Sequence, residues 1–396
     1  MDESEFQWVA GDGALSMENW QSFLMGGTAR DAYEYPLFSD ASLDGEILTG
    51  FGPYTFLNAL LEPVSQADPR VPAGFLRVQN HVEAPLREMN ATWDKRYHGG
   101  HIQDEIAALL SLGLGIRLKA GSASRFFQAN GDPKGRPWGF KDFGRADPLF
   151  VSSTYGPVLP SATGTHDVAL PDNVAQFYKL AQDASVAVIR AARLYQNGIW
   201  VAEADPSQGW LLLVSAVETA AVFWRKQEDV PIERLRTSRP ELERLLLDVG
   251  GPALAAKVAD MIAPYMGSTK RFVDFLLRFL PEPPSPRPPE YAQHAWTDSD
   301  MKKSFVRIYE HRSNALHGGI PFPAPMCWPA RRVGDSYSER PGLGGSAAGH
   351  GDNVWMAKDI PMPFHTFEYI ARNALLSWWR SMLEAEDMTE TEPSPE

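Results

Sequence analysis

The chain has 396 residues, 44% hydrophobic and 22% charged, which excludes a disordered or fibrous chain and suggests two domains. Its formal net charge is −13. Such a protein is not drawn to nucleic acid by its overall field, so any RNA contact must rest on a local basic patch.

In chain order, the acidic start Met1-Asp2-Glu3-Ser4-Glu5 does not read as a signal peptide. Residues 1–170 lack long helical periodicity and read as a mixed α/β domain. Phe75 to Val82 has strand-like content, and Ile102 to Leu112 carries apolar residues at helical spacing. A strand pair is expected across Gly115 to Phe127, turning at Ala120-Gly121-Ser122. Near Leu170-Pro171-Asp172 the character changes to helix. A helix is expected from there to about Tyr195, ended by Asn197-Gly198, and a second from Pro206-Ser207 to about Lys226. The second is apolar nearly all round, as suits the centre of a bundle. Its run from Gly209 to Trp224 is too short for a membrane span and carries Glu218.

Shorter helices are expected at Pro240 to Asp248, Pro252 to Pro264 and Ser268 to Leu280, followed by a stiff proline-rich linker to Pro289. Another helix starts after Thr297-Asp298 and stops at Gly318-Gly319. A Pro/Gly-rich insertion covers about residues 320–363 and a last helix runs from Phe364 to about Leu383. An acidic tail, 386–396, is expected to be disordered. The single cysteine, Cys327, excludes an intrachain disulfide and a cysteine-built zinc site.

The helix ending at Gly318 carries the best candidate site. Helical spacing puts Phe305, Ile308, Tyr309, Arg312 and Leu316 on one stripe. An arginine among apolar residues needs a partner, because an unpaired buried charge is costly. Glu218, the only charge between Trp210 and Trp224, is the expected partner across the bundle. His317 follows five residues after Arg312, about 140° round the helix, where fraying at Gly318 lets both side chains reach one cleft. RNA carries its own nucleophile, the 2′-hydroxyl, so cleavage needs a proton carrier and a cation for the phosphorane oxygens. Histidine and arginine supply both without metal. Ser313 and Asn314 are placed to orient the phosphate. The spacing alone is weakly specific, since Arg96 to His101 repeats it.

The segment Phe305-Val306-Arg307-Ile308-Tyr309-Glu310-His311-Arg312-Ser313-Asn314-Ala315-Leu316-His317-Gly318-Gly319 resembles the signature of Apea-like HEPN domains. So does Leu211 to Ala220, with its alanine-rich turn and Glu218. The resemblance covers roughly residues 172–385. It implies an up-and-down helical bundle that dimerises, bringing two Arg/His pairs into one cleft. Many members are metal-independent ribonucleases of defence or toxin systems that leave 2′,3′-cyclic phosphates, and others only bind or scaffold. Carried over, Arg312 and His317 are catalytic, with Glu218 and Asn314 in support. The polar residue that directly follows the arginine in many members is here Ser313.

Two other constellations combine chemistry-bearing residues. His98-Gly99-Gly100-His101 with Asp104 and Glu105 reads as a loop entering a helix, because two glycines give metal ligands no defined geometry. Arg125, Lys134, Arg136, Lys141 and Arg145 interleave with Phe126, Phe127, Trp138, Phe140 and Phe143. That pattern suits single-stranded nucleic acid, although an aromatic core under a solvated loop explains it better.

The expectation is therefore an α+β chain. Residues 1–170 form a mixed α/β domain that senses a trigger or holds a partner, and 171–385 form a HEPN-like bundle. It would be a cytoplasmic, homodimeric endoribonuclease without metal or cofactor. RNA would meet Ser313, Lys302, Arg307, Arg136 and Lys141. The alternative is a non-catalytic RNA- or nucleotide-binding or protein-interaction sensor.

Overall fold

The computed structural model describes residues 11–58, 72–82, 92, 94–128, 139–140, 156–225, 230–262, 267–342 and 347–391. It is an α+β protein. Helix α1 (Leu15–Leu24) leads into strands β1 (Asp31–Phe38), β2 (Ala41–Asp44), β3 (Tyr54–Asn58) and β4 (Gly74–Asn80). Then follow α2 (Ile102–Leu114), β5 (Lys119–Ala120), β6 (Arg125–Gln128), β7 (Gly139–Phe140) and β8 (Gly164–Asp167). The main sheet runs β3-β4-β1-β6-β7, with β5 also on β1.

The hairpin expected across Gly115 to Phe127 does not form. Strands β5 and β6 both pair antiparallel with β1, at its end and its start. Pro36 explains the break. Its carbonyl accepts from the Gly121 amide at 2.8 Å, but proline has no N–H to return, so regular pairing lapses between the two strands. The strand read at Phe75 to Val82 is β4, and alternation puts Leu76 and Val78 in the core.

Helix α2 joins the two halves. His101 and Asp104 close its N-terminus with a capping box, and Gly115 ends it in the left-handed region at φ 72°. The far end of the chain caps it again: Arg372 donates to the carbonyls of Leu112 and Gly113. A cation on the last carbonyls of a helix is favourably placed against its dipole. Core residues from Ala14 to Leu383 form one contiguous apolar cluster.

The helical half comprises α3 (Asp172–Ala175), α4 (Gln182–Val201), α5 (Pro206–Trp224), α6 (Pro231–Ser238), α7 (Pro240–Ile262), α8 (Ser268–Arg278), α9 (Asp298–Gly318) and α10 (Phe364–Thr391). Asn197-Gly198 does not stop α4, which continues to Val201. Gly198 serves packing instead. A Cβ there would lie 3.3 Å from the Gly209 carbonyl oxygen, and one on Gly209 would lie 3.0 Å from the Gly198 oxygen. The two glycines let α4 and α5 approach backbone to backbone. Gly209→Val is expected to cost about 1–3 kcal/mol in urea denaturation, because the added methyls have no room. Helix α6 had no counterpart in the sequence reading, and α7 breaks at Gly251, φ 69°, where two helices were expected. Helix α10 runs past Leu383 to Thr391, through residues of good helix propensity such as Ala385.

The proline-rich linker is pinned by Trp296 Nε1 to the Pro281 carbonyl and by Tyr369 Oη to that of Glu282. The 320–363 insertion folds into two short hairpins, β9 (Arg332–Val333) with β10 (Ser336–Tyr337) and β11 (Ala347–His350) with β12 (Asn353–Met356). Phe322 stacks on Trp210 at 5.2 Å and roots the insertion in the bundle. Among the described residues no helix is long and apolar enough to cross a membrane.

Candidate functional site

Helix α9 begins where it was expected. Thr297 caps it by accepting from the Asp300 amide, and Gly319 closes it in the left-handed region at φ 65°. The apolar stripe leaves the core gradually. Phe305 and Ile308 are fully buried, the Arg312 side chain is 19% exposed and Leu316 is 50% exposed. Arg312 therefore sits at the rim of the core, where its charged head meets solvent.

Glu218 meets it there. Arg312 Nη2 donates to Glu218 Oε2 at 2.5 Å, and the Tyr309 hydroxyl donates to the other carboxylate oxygen at 2.7 Å. The guanidinium carbon lies 5.4 Å from the Tyr309 ring centre. Burial, with Glu218 alongside, pushes the Tyr309 phenol up to about 12, so it stays a neutral donor. Tyr309, one turn before Arg312 on the same stripe, was legible as a core residue but not as a member of this triad. A single pair held at one edge gives Arg312 a defined direction; its Nε is buried, and the outer part of the guanidinium is what the cleft can reach.

Arg312 and Glu218 line a cleft of about 1260 Å³ between the N-terminal segment, α4 and α5, with Tyr309 behind them. Lys95, Arg190 and Arg312 bring positive charge to it, and Asp12, Asp183 and Glu218 bring negative charge. Much of this is internally matched: Lys95 binds Asp12 at 2.7 Å, and Arg190 donates to the carbonyls of Asp94, Lys95 and Tyr97. Val186, Val222 and Phe223 add an apolar wall. Arg190 and Lys95 carry no motif, and only the packing of α4 against the loop before α2 brings them here.

His317 lies in the last turn of α9, exposed, and does not line the cleft. Its separation from Arg312 is about 7.5 Å along the axis and 140° around it. The structure thus brings Glu218 to Arg312 but leaves His317 on another face. Asn314 is exposed, and its backbone carbonyl takes the amides of Gly319 and Ile320 as the helix cap. Ser313 is half-buried beside it. Lys302 is exposed, about 15 Å up the helix from Arg312. Arg307 is occupied by Glu310 at 2.7 Å and Asp359 at 3.3 Å, and is not among the cleft residues. Arg136 and Lys141 lie outside the described residues. Of the basic residues in the aromatic-basic stretch, Arg125 is described; it pairs with the buried Glu34, which Arg77 also holds.

Of the second Arg-x4-His copy, His101 is exposed at the start of α2, its amide donating to Asp104 at 2.9 Å, and the residues around it are spent on structure. His98 Nε2 bonds Glu105 Oε1 at 2.8 Å, Glu105 takes the Ser16 amide at 2.7 Å, and Arg96 faces Glu18 at 3.8 Å. These contacts tie the loop to α1 and α2. Among the described residues no three His, Cys, Asp or Glu side chains converge as metal ligands.

Burial lowers the pKa of three other histidines of the helical half: His294, His311, which meets the Asp359 carbonyl at 2.6 Å, and His365, pushed down to about 4. For His365 the unfolded chain titrates near 6.5 and the folded one near 4, so the unfolded state binds more protons between those values. Its contribution therefore favours folding above pH 6.5 and is lost as pH falls towards 4. His365→Phe lacks that loss. Wild type is expected to fall against the variant by up to about 3 kcal/mol between pH 7 and 4, read by chemical denaturation at each pH.

Compared with protein-family models, curated proteins and solved structures, the chain matches none.

Proposed function

We propose that the protein is a metal-independent endoribonuclease in which Arg312 and His317 act on RNA. The observation that carries this reading is the Arg312–Glu218–Tyr309 triad on the edge of a cleft large enough for nucleotides. A guanidinium held by a carboxylate on one side presents its remaining donors to phosphate on the other. The substrate's 2′-hydroxyl attacks the adjacent phosphorus while the bond to the 5′-oxygen breaks. One imidazole accepts the 2′-proton and another delivers a proton to the leaving oxygen, so the products are a 2′,3′-cyclic phosphate and a 5′-hydroxyl. Exposed His317 fits this role across two copies of the chain, each supplying one histidine to a shared cleft. The resemblance to Apea-like HEPN domains supports such a pairing, and a defence or toxin setting with it.

The test is purified protein incubated with mixed RNA in EDTA, with the ends of the products analysed. Cleavage with cyclic phosphate ends is the expected result. No cleavage, or cleavage that disappears with the chelator, overturns the reading.

One observation favours a second reading. Within one chain the cleft reaches Arg312 but not His317. A non-catalytic RNA- or nucleotide-binding module needs only the cleft. It predicts RNA binding that weakens in Arg312→Ala, no products, and indifference to His317→Ala.

A further inference from the structure

A second pocket, separate from the cleft, lies where the 320–363 insertion meets the start of α10. Its volume is about 620 Å³, within the range of small-ligand sites. Arg331 and Arg340 stand at it, with Trp328, Ser338, Pro363 and His365. No carboxylate lines it. In a chain of net charge −13, two arginines without an acidic partner among the described residues are out of keeping with simple surface solvation. Glu339, the carboxylate next to Arg340 in sequence, is committed elsewhere: it is buried and paired with Arg287, and it also accepts from the His294 amide at 2.7 Å. The Arg331 guanidinium reaches only the Ser338 hydroxyl, at 3.4 Å.

The interior of the pocket repeats this pattern. Both ring nitrogens of His365 are out of contact with solvent, and neither closes a hydrogen bond of good geometry. The Ser338 backbone is the one polar group acting on the ring, and a buried polar group so weakly satisfied is costly and asks for an explanation. Pro363 and His365 also mark the first turn of α10, where Phe367 is the first amide to bond back, to the Pro363 carbonyl. The preceding amides have no intrahelical partner and carry the positive end of a long helix. Trp328 and the prolines supply a flat apolar wall beside these donors.

We propose that this pocket binds a nucleoside monophosphate, its phosphate held by Arg331, Arg340 and the start of α10 and its base set against Trp328. Phosphate alone does not account for the aromatic wall, and an uncharged nucleoside does not account for the paired arginines. The site is independent of Arg312 and of RNA cleavage.

Calorimetric titration of the full chain tests it with three probes: adenosine 5′-monophosphate, adenosine and inorganic phosphate. The monophosphate is expected to bind at least tenfold more tightly than either fragment. The double variant Arg331→Gln/Arg340→Gln alters exposed side chains, so its thermal midpoint should be unchanged while its affinity drops at least tenfold. Arg312→Ala should bind as wild type does. No binding of the monophosphate at millimolar concentration overturns the proposal. So does equal binding by inorganic phosphate, or full affinity in the double variant. Affinity lost in Arg312→Ala but kept in the double variant places the nucleotide in the cleft, and equally overturns it.

Discussion

His317→Ala is expected to lower RNA cleavage by about 10²- to 10⁴-fold, the range for removing a general acid or base. Its side chain is exposed at the end of α9, so the thermal midpoint should hardly move. Arg312→Ala removes both a phosphate contact and the partner of Glu218. The cleavage loss should be about 10²- to 10³-fold, as for loss of one transition-state donor. It also leaves a partly buried carboxylate with Tyr309 alone, so stability should fall by about 1–3 kcal/mol. Arg312→Lys separates the two effects: it keeps the charge opposite Glu218 but loses the planar fork that grips phosphate. Stability near wild type with cleavage still depressed is the expected result. Mixing His317→Ala and Arg312→Ala chains adds a measure of the shared cleft. Because each copy supplies one of the two histidines, such heterodimers still lack one and should stay inactive; recovery of activity in the mixture would show that one Arg/His set suffices and would remove the two-imidazole scheme. Wild-type cleavage by either single variant removes the assignment.

The largest stability effect is expected at Arg117. This side chain is fully buried between the sheet and the helices. It pairs with Asp40, with Glu203 at 2.5 Å, and donates Nε to the Ile199 carbonyl at 2.8 Å. Glu203 in turn accepts the amides of Val158 and Leu159 at 2.8 and 3.0 Å. Burial pushes the Asp40 carboxyl upward, and the Arg117 guanidinium is the chief force opposing this. Arg117→Ala would leave two buried carboxylates without their cation. Breaking such a network by removing one partner costs about 3–5 kcal/mol, a large share of the 5–15 kcal/mol typical of a domain. Denaturant unfolding should show it directly. Arg117→Ala combined with Asp40→Asn and Glu203→Gln should recover part of the loss, because the stranded charges go with the cation. A loss below about 1 kcal/mol in the single variant would show that water reaches the network.

How much of this was legible in the sequence differs element by element. Helix α9 was readable at both ends, because Thr297 and the Gly318-Gly319 pair act through local backbone geometry. The Arg312–Glu218 contact was also readable: each is a lone charge on an otherwise apolar stripe, and a low-dielectric setting leaves such charges little choice but each other. Gly198 misled for the opposite reason. Its local preference is to end a helix, but the gain from close packing against Gly209 outweighs that preference. Ala120-Gly121-Ser122 likewise has the composition of a turn, yet pairing with β1 is available on both sides of it.

Local rules account for most of the helices, for where α9 starts and stops, and for which charges cannot stand alone in the core. Those outcomes follow from dihedral preferences, caps and the cost of burying charge, all felt within a few residues. What gathers around Arg312 is set by packing between distant parts of the chain. Arg190, Lys95 and Asp12 reach the cleft because α4 packs against the loop before α2, and His317 misses it because a helix turns about 100° per residue. The first is a long-range packing outcome that no local spacing encodes; the second is local, and holds because α9 stays helical to Gly318 instead of fraying there.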